Sequence, residues 1–368
     1  MKVTLLVAAF CAVLILPVVA GAQGKFSGYM FGDYFYNVAR DTSIAKLSNV
    51  ATTNGSKSFQ AFQVRRIYFA YDNDISEQFV ARFRMEGDFT AVEGGGAAAQ
   101  KLFIKDAYLR WKNVFTGSDL IFGEQPTPAF DIAETMWGYR SLEKTIMDLR
   151  GIISSRDLGI SLKGKFDEGG IFNYWVMVAN NSSTNTENDK YKRVSLLIQV
   201  KPSKNLTATV HGDFKAQANI NDPKSTAVPP ATIANNVMTG SVFLAYTEPD
   251  HFLFGGEGFI QSTAHGYLEP AATSLTSRSA LGISVYGWYN VSAMVALVGR
   301  FDYFDPNSNS NSKGDARNYI IGGVSFKPDK NVSITPNIQV ETYESLPNGG
   351  RSFDASITGR LTFYYVFL

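Results

Sequence analysis

From Phe26 onward, apolar and polar residues alternate in short runs divided by turn residues. The plainest run is 79–89. Phe79, Ala81, Phe83, Met85, Gly87 and Phe89 share one face, and Val80, Arg82, Arg84, Glu86 and Asp88 the other. A period of 3.6 would scatter these charges around a helix, whereas a period of two makes a strand with one apolar and one watered face. The same alternation sets Leu206, Ala208, Val210 and Phe214 against Thr207, Thr209, His211, Asp213 and Lys215. It sets Val332, Ile334, Ile338 and Val340 against Ser333, Thr335, Asn337, Gln339 and Glu341. At the end of the chain, Ile357, Gly359, Leu361, Phe363, Tyr365 and Phe367 form an apolar row opposite Asp354, Ser356, Thr358 and Arg360.

Followed along the chain, the pattern predicts sixteen strands: 26–38, 59–71, 76–90, 101–112, 119–124, 157–166, 171–179, 191–200, 206–215, 239–246, 252–261, 277–286, 291–303, 317–326, 332–343 and 352–367. The alternation is faintest in 119–124, 239–246 and 277–286. Short turns are expected at 72–74, 113–118, 167–170, 201–205, 247–251, 287–290 and 327–331. Longer polar loops are expected at 39–58, 91–100, 125–156, 180–190, 216–238, 262–276, 304–316 and 344–351. Short and long connections alternate strictly. Short turns on one side and long loops on the other, joining an even number of strands, are the mark of a transmembrane antiparallel up-and-down β-barrel of the bacterial outer membrane. Outer-membrane lipid is then the partner of the apolar faces.

Composition agrees with this reading. The chain has 368 residues, 13% of them aromatic and 18% charged, with 32 glycines. Beyond residue 20 no stretch of about 20 apolar residues could form a spanning helix. Lys2, the apolar run Val3–Val19 and Ala20-Gly21-Ala22 read as a signal peptide over 1–22, leaving 23–368 as a single barrel domain. Removing it takes away Cys11, the only cysteine, so disulfides, zinc-thiolate sites and thiol nucleophiles are excluded. It also removes one lysine of the 34 bases, which leaves 33 against 33 acids and no global field to attract nucleic acid.

The longest connection, 125–156, is too varied to be a plain solvated loop. Pro126 and Pro128 stop the preceding strand, and 129–144 has a short helical pattern with Phe130, Ile132, Met136 and Trp137 as contacts. A loop of this length inside a compact domain usually has a function. Two placements are open. It folds into the barrel and narrows it, carrying Arg140, Lys144, Arg150 and Arg156, or it lies outside as a cap or a contact between subunits. The first is expected for residues 129–150.

Five motifs then bear on family. They are Arg65-Arg66-Ile67-Tyr68-Phe69, Phe83-Arg84-Met85-Glu86-Gly87-Asp88-Phe89, Ile104-Lys105-Asp106-Ala107-Tyr108-Leu109, Phe122-Gly123-Glu124-Gln125-Pro126 and Arg156-Asp157-Leu158-Gly159-Ile160-Ser161-Leu162-Lys163-Gly164. In order and spacing, the segment 59–166 resembles the phosphate-selective porin O and P family. The resemblance implies a sixteen-stranded homotrimer in the outer membrane, passing small anions such as phosphate along basic side chains.

The strand phases place twelve bases and ten acids inward, a slight cationic bias. Arg66, Arg82, Arg84, Arg110 and Lys112, with Arg140, Arg150 and Arg156 of the third loop, are the candidate anion pathway. Arg82 and Arg84 would lie roughly 7 Å apart along one face, and their planar forks suit phosphate oxygens. Two alternatives stay open: a general or cation-preferring diffusion porin, in which these bases merely pair with the acids, and a sealed barrel acting as an anchor or adhesin. An enzyme is not expected. His211, His251 and His265 are the only histidines, no nucleophile motif surrounds them, and none are at metal-ligand spacing. No cofactor is expected either.

Overall fold

The computed structural model describes residues 24–41, 55–94, 101–268, 274–309, 312–346 and 352–368; the expected signal segment lies outside them. The strands are β1 Lys25–Ala39, β2 Gln60–Asp74, β3 Phe79–Phe89, β4 Lys101–Phe115, β5 Ser118–Pro126, β6 Arg156–Lys165, β7 Phe172–Ala179, β8 Arg193–Val200, β9 Leu206–Lys215, β10 Ile220–Asn221, β11 Thr232–Ile233, β12 Val237–Glu248, β13 Phe252–Leu268, β14 Leu275–Ser292, β15 Val295–Asp305, β16 Arg317–Asp329, β17 Val332–Tyr343 and β18 Ser356–Val366. Sixteen of them form a closed antiparallel barrel in sequence order, with β18 pairing back onto β1. The two-residue strands β10 and β11 form a separate ribbon in the connection between β9 and β12. Closure leaves no unpaired sheet edge.

The faces follow the alternation. On β17, Thr335, Asn337, Gln339 and Glu341 are buried inward while Ile338 is 48% exposed on the outer wall. On β9, Thr207, Thr209, His211 and Asp213 are inward and buried, and Val210 is exposed. Outward exposure of Phe122, Phe254, Leu297 and Leu361 continues the apolar wall around the barrel.

Two connections differ most from expectation. Gly287–Asn290 does not turn: β14 continues through Trp288 and Tyr289 to Ser292, pairing with β15, and the turn is Ala293-Met294. Gly287 faces Gly299 across this pair, and a Cβ on it would come within 2.6 Å of Leu253 O on β13, so the glycine permits a close strand approach and makes no turn. Polar Ser262, Thr263 and His265 do not end β13 either. The β13–β14 hairpin extends to Leu268 across an irregularity between Thr263 and Tyr267.

The third long connection folds inside the barrel. It carries a helix, Asp131–Trp137, ended by Gly138 in the left-handed conformation (φ 71°), and a one-turn helix, Ile146–Leu149. Trp137, Leu142, Ile146 and Met147 are completely or almost completely buried. They pack against inward apolar residues of β12–β16, among them Phe243, Phe259, Tyr286, Phe304, Tyr319 and Ile321. The barrel therefore has its hydrophobic core along one side of the lumen.

Polar contacts fix the loop from several strands. Tyr286 Oη donates to the Ala133 carbonyl at 3.1 Å, and Gln261 Nε2 donates to Ile152 O at 2.9 Å. Arg150 Nη1 lies 2.7 Å from Glu341 Oε1, with both side chains fully buried and the guanidinium beside the Phe304 and Tyr319 rings. Arg65 Nη1 donates to Leu142 O at 3.1 Å from the far wall.

Candidate functional site: the lumen constriction

The narrowing lies between the loop and the wall formed by β2, β3, β4 and the start of β6. Arg66 Nε is 2.6 Å from Glu86 Oε1, and its Nη1 is 2.7 Å from Asp88 Oδ2. Arg84 Nε is 2.9 Å from Asp106 Oδ2, with its guanidinium 5.2 Å from the Tyr68 ring centroid. Arg156 takes the other Asp106 oxygen. On the loop, Arg140 pairs with Glu134 at 2.9 Å and Asp148 at 3.6 Å, and Lys144 reaches Asp148 at 3.7 Å. Burial alone would raise the Asp148 carboxyl. Lys144 and Arg140, with Lys105 and Arg66 beyond them, outweigh it and hold Asp148 below the usual carboxylate range. Burial likewise opposes ionisation of Glu143, but Arg65 and Arg360 bring it below its ordinary value.

The other candidates go elsewhere. Arg82 pairs with Asp72 at 3.0 Å, Arg110 Nε with Asp119 at 2.8 Å, and Lys112 with Asp74 at 3.6 Å, all toward the short-turn end of the barrel. Arg150 sits behind the loop as one of its anchors, sealed from solvent.

Two inward cations escape a strict period of two, each because of a β-bulge. Phe31 faces Arg66 but Gly32 faces Val64, so Arg65 is the extra residue and both arginines enter the lumen. Arg65 Nε is 2.7 Å from Asp33 Oδ2. On β4, Arg84 faces Asp106 and Met85 faces Ile104, so Lys105 is extra. Its Nζ is 2.9 Å from Glu86 Oε2 and 3.2 Å from Ser155 Oγ. The sequence does carry a signal for both: two charged residues in succession inside an otherwise alternating strand.

Around the constriction, Arg65, Arg66, Arg84, Lys105, Arg140, Lys144 and Arg156 meet Asp33, Glu86, Asp88, Asp106, Glu134 and Asp148, and every one of these groups is in an ion pair. The balance is seven bases to six acids. The short-turn end is different. Cavities of about 740 and 520 Å³ flank the helix Asp131–Trp137 there. The first is bordered by Lys163, Lys165, Lys201 and Lys204, the second by Lys327 and Lys330. Lys165 donates to Glu168 O and Lys327 to Asn290 Oδ1. Among the described residues no ion pair joins any of these six to a carboxylate. The described residues hold no cluster of histidine, cysteine and acidic side chains suited to a metal ion.

No protein-family model matches the sequence, and no curated protein matches it. Solved structures share the fold. The anion-selective porin from Comamonas acidovorans superposes with a TM-score of 0.64 at 11% identity, covering 94% of this chain and 100% of that one. The outer membrane channel DcaP of Acinetobacter baumannii gives 0.63 at 13% identity, with 96% and 99% covered. Outer-membrane expressed OmpT of Vibrio cholerae gives 0.62 at 13%, with 94% and 98% covered. The chain is thus similar in architecture, from end to end, to outer-membrane channels.

Proposed function

We propose that this protein is a bacterial outer-membrane porin, assembled as a homotrimer, that lets small hydrophilic solutes diffuse passively with a weak preference for anions, phosphate among them. The observation that carries this reading is a closed sixteen-stranded wall, apolar outside and polar inside, narrowed by an inward loop whose charges are held in ion pairs. A barrel of this size leaves an aqueous channel. The short turns lie on the periplasmic side in such barrels, so the lysines without carboxylate partners stand at the periplasmic mouth. Rings of charge and pore width set ion preference, and this mouth supplies the excess base that the constriction nearly lacks. The resemblance of 59–166 to phosphate-selective porins supports phosphate as one of the solutes. The likeness to the trimer form of OmpT from Vibrio cholerae supports the oligomer.

A general diffusion porin is the second reading, favoured by the pairing of Arg66, Arg82 and Arg84 with acids. Reversal potentials in a potassium chloride gradient across a planar bilayer separate the two. Anion preference is expected. Zero or cation preference leaves the general porin, and absence of any conductance by the folded barrel leaves a sealed anchor.

A further inference from the structure

The larger cavity at the short-turn mouth has a chemistry that the constriction lacks. Its charged border is Lys163, Lys165, Lys201 and Lys204, with Arg110 already committed to Asp119, the only acid among its lining residues. The lining also includes apolar groups: Ile132 and Met136 on the helix Asp131–Trp137, and Leu197 and Trp175 on the wall. Trp175 is only 3% exposed. Lys163 Nζ stands over the Trp175 ring, 4.0 Å from its centroid, so the cation is held against the apolar wall. No carboxylate among the described residues pairs with Lys163, and an anionic oxygen in this cavity would supply it with a partner. The volume, about 740 Å³, falls in the range of ~300–1,000 Å³ typical of small-molecule sites.

We infer that this cavity binds organic anions in which a carboxylate or sulfonate is joined to a flat apolar ring. The acidic group meets Lys163 and the neighbouring lysines. The ring lies against Ile132, Met136 and Leu197. Inorganic phosphate satisfies only the first half. It leaves the apolar side wet and gains nothing from it, so charge alone does not account for the lining. The site deepens the porin reading by naming a class of permeant that would pause at the periplasmic mouth, and it depends on that reading for its access from the lumen.

The test uses the purified full-length barrel in detergent, with 1-naphthoate, the neutral 2-naphthalenemethanol and inorganic phosphate as probes, titrated by calorimetry. The same preparation is reconstituted for conductance. Naphthoate is expected to bind at least about tenfold more tightly than either phosphate or the alcohol, since it alone uses both halves of the cavity. Lys163→Met with Lys201→Met should weaken naphthoate about tenfold and leave the alcohol unchanged. Ile132→Ser with Met136→Ser should weaken naphthoate and leave phosphate unchanged. Equal affinity for phosphate and naphthoate, or naphthoate binding indifferent to both double variants, overturns the site. Loss of conductance with retained, lysine-dependent naphthoate binding removes the porin reading and leaves the site. Normal conductance without naphthoate preference removes the site alone.

Discussion

Truncating Trp137 tests whether the inward loop sets the width of the channel. Its ring centroid is 5.0 Å from that of Tyr286, the Arg300 guanidinium lies 5.8 Å from it, and its Nε1–H donates to Glu143 O at 2.9 Å. Trp137→Ala removes the largest side chain from the loop's contact with the wall, a kind of change that costs ~3–5 kcal/mol. The cost falls on docking and spares the barrel, because β12–β16 keep their ladders whether or not the loop is in place. Leu142, Ile146 and Met147 still hold the loop, so the single variant should show a noisier open channel with little change in mean conductance. Adding Leu142→Ala removes a further ~2–5 kcal/mol, and the loop should then leave the lumen for much of the time. Single-channel recording should show a clear rise in conductance, limited proteolysis should cut near 138–145, and the folded barrel should still migrate as a compact species in unheated gels. A double variant that folds but conducts with wild-type amplitude and noise would refute the assignment of this loop as the constriction.

Three further outcomes follow from the same geometry. Ile338→Arg, on the outer wall at mid-strand, should destabilise the barrel in lipid by ~2–4 kcal/mol, measured by urea unfolding in vesicles; an unchanged midpoint would mean that this face does not meet lipid. Arg66→Ala with Arg84→Ala turns the constriction from seven bases and six acids to five and six, so the reversal potential should move toward cations, and an unmoved potential would show that the paired charges do not govern permeation. Asp148 and Glu143 have depressed folded-state values, so their contribution to loop docking is present above the ordinary carboxylate range and is lost only as pH falls through the lower folded values. Conductance should stay constant from neutral pH down to about 5 and rise only below about 4, whereas a rise near pH 6 would mean that these two carboxylates do not hold the loop.

The barrel was legible because its outer wall must be apolar and its lumen polar, a constraint that period-two alternation records directly along β3, β9, β17 and β18. Of the three strands where it was least legible, two, β12 and β14, owe this to the loop. On β12, Phe243 and Ala245 face inward beside outward Val242 and Leu244; on β14, Ala280 and Tyr286 face inward beside outward Ile283 and Val285. Where the third loop docks, the inner face becomes a protein core and the alternation fades. A faint strand facing a long, apolar loop is thus itself evidence of docking, since a wall left open to water would have kept its polar residues.

The constriction was legible in composition and obscure in geometry. Which bases lie inward could be counted, but ion pairing depends on register between strands that a single strand's pattern does not contain. Glu86 is shared by Arg66 and Lys105, and Asp106 by Arg84 and Arg156, through neighbours 19 to 50 positions apart in the chain. The bulges at Arg65 and Lys105 then add two cations to the same wall. This arrangement changes what the arginines can do. A guanidinium 2.6–2.9 Å from a carboxylate presents a dipole to a passing ion rather than a net charge, so cations and anions are both met by fixed groups across the narrow section. Net preference must come from charge that lacks such a partner, and on the wall that charge is found among the lysines below the loop. Their reach is limited to a Debye length of ~8 Å at physiological ionic strength. On the proposed reading, selectivity should therefore fade as salt rises, and it should respond more to the lysines at the mouth than to any single arginine in the constriction.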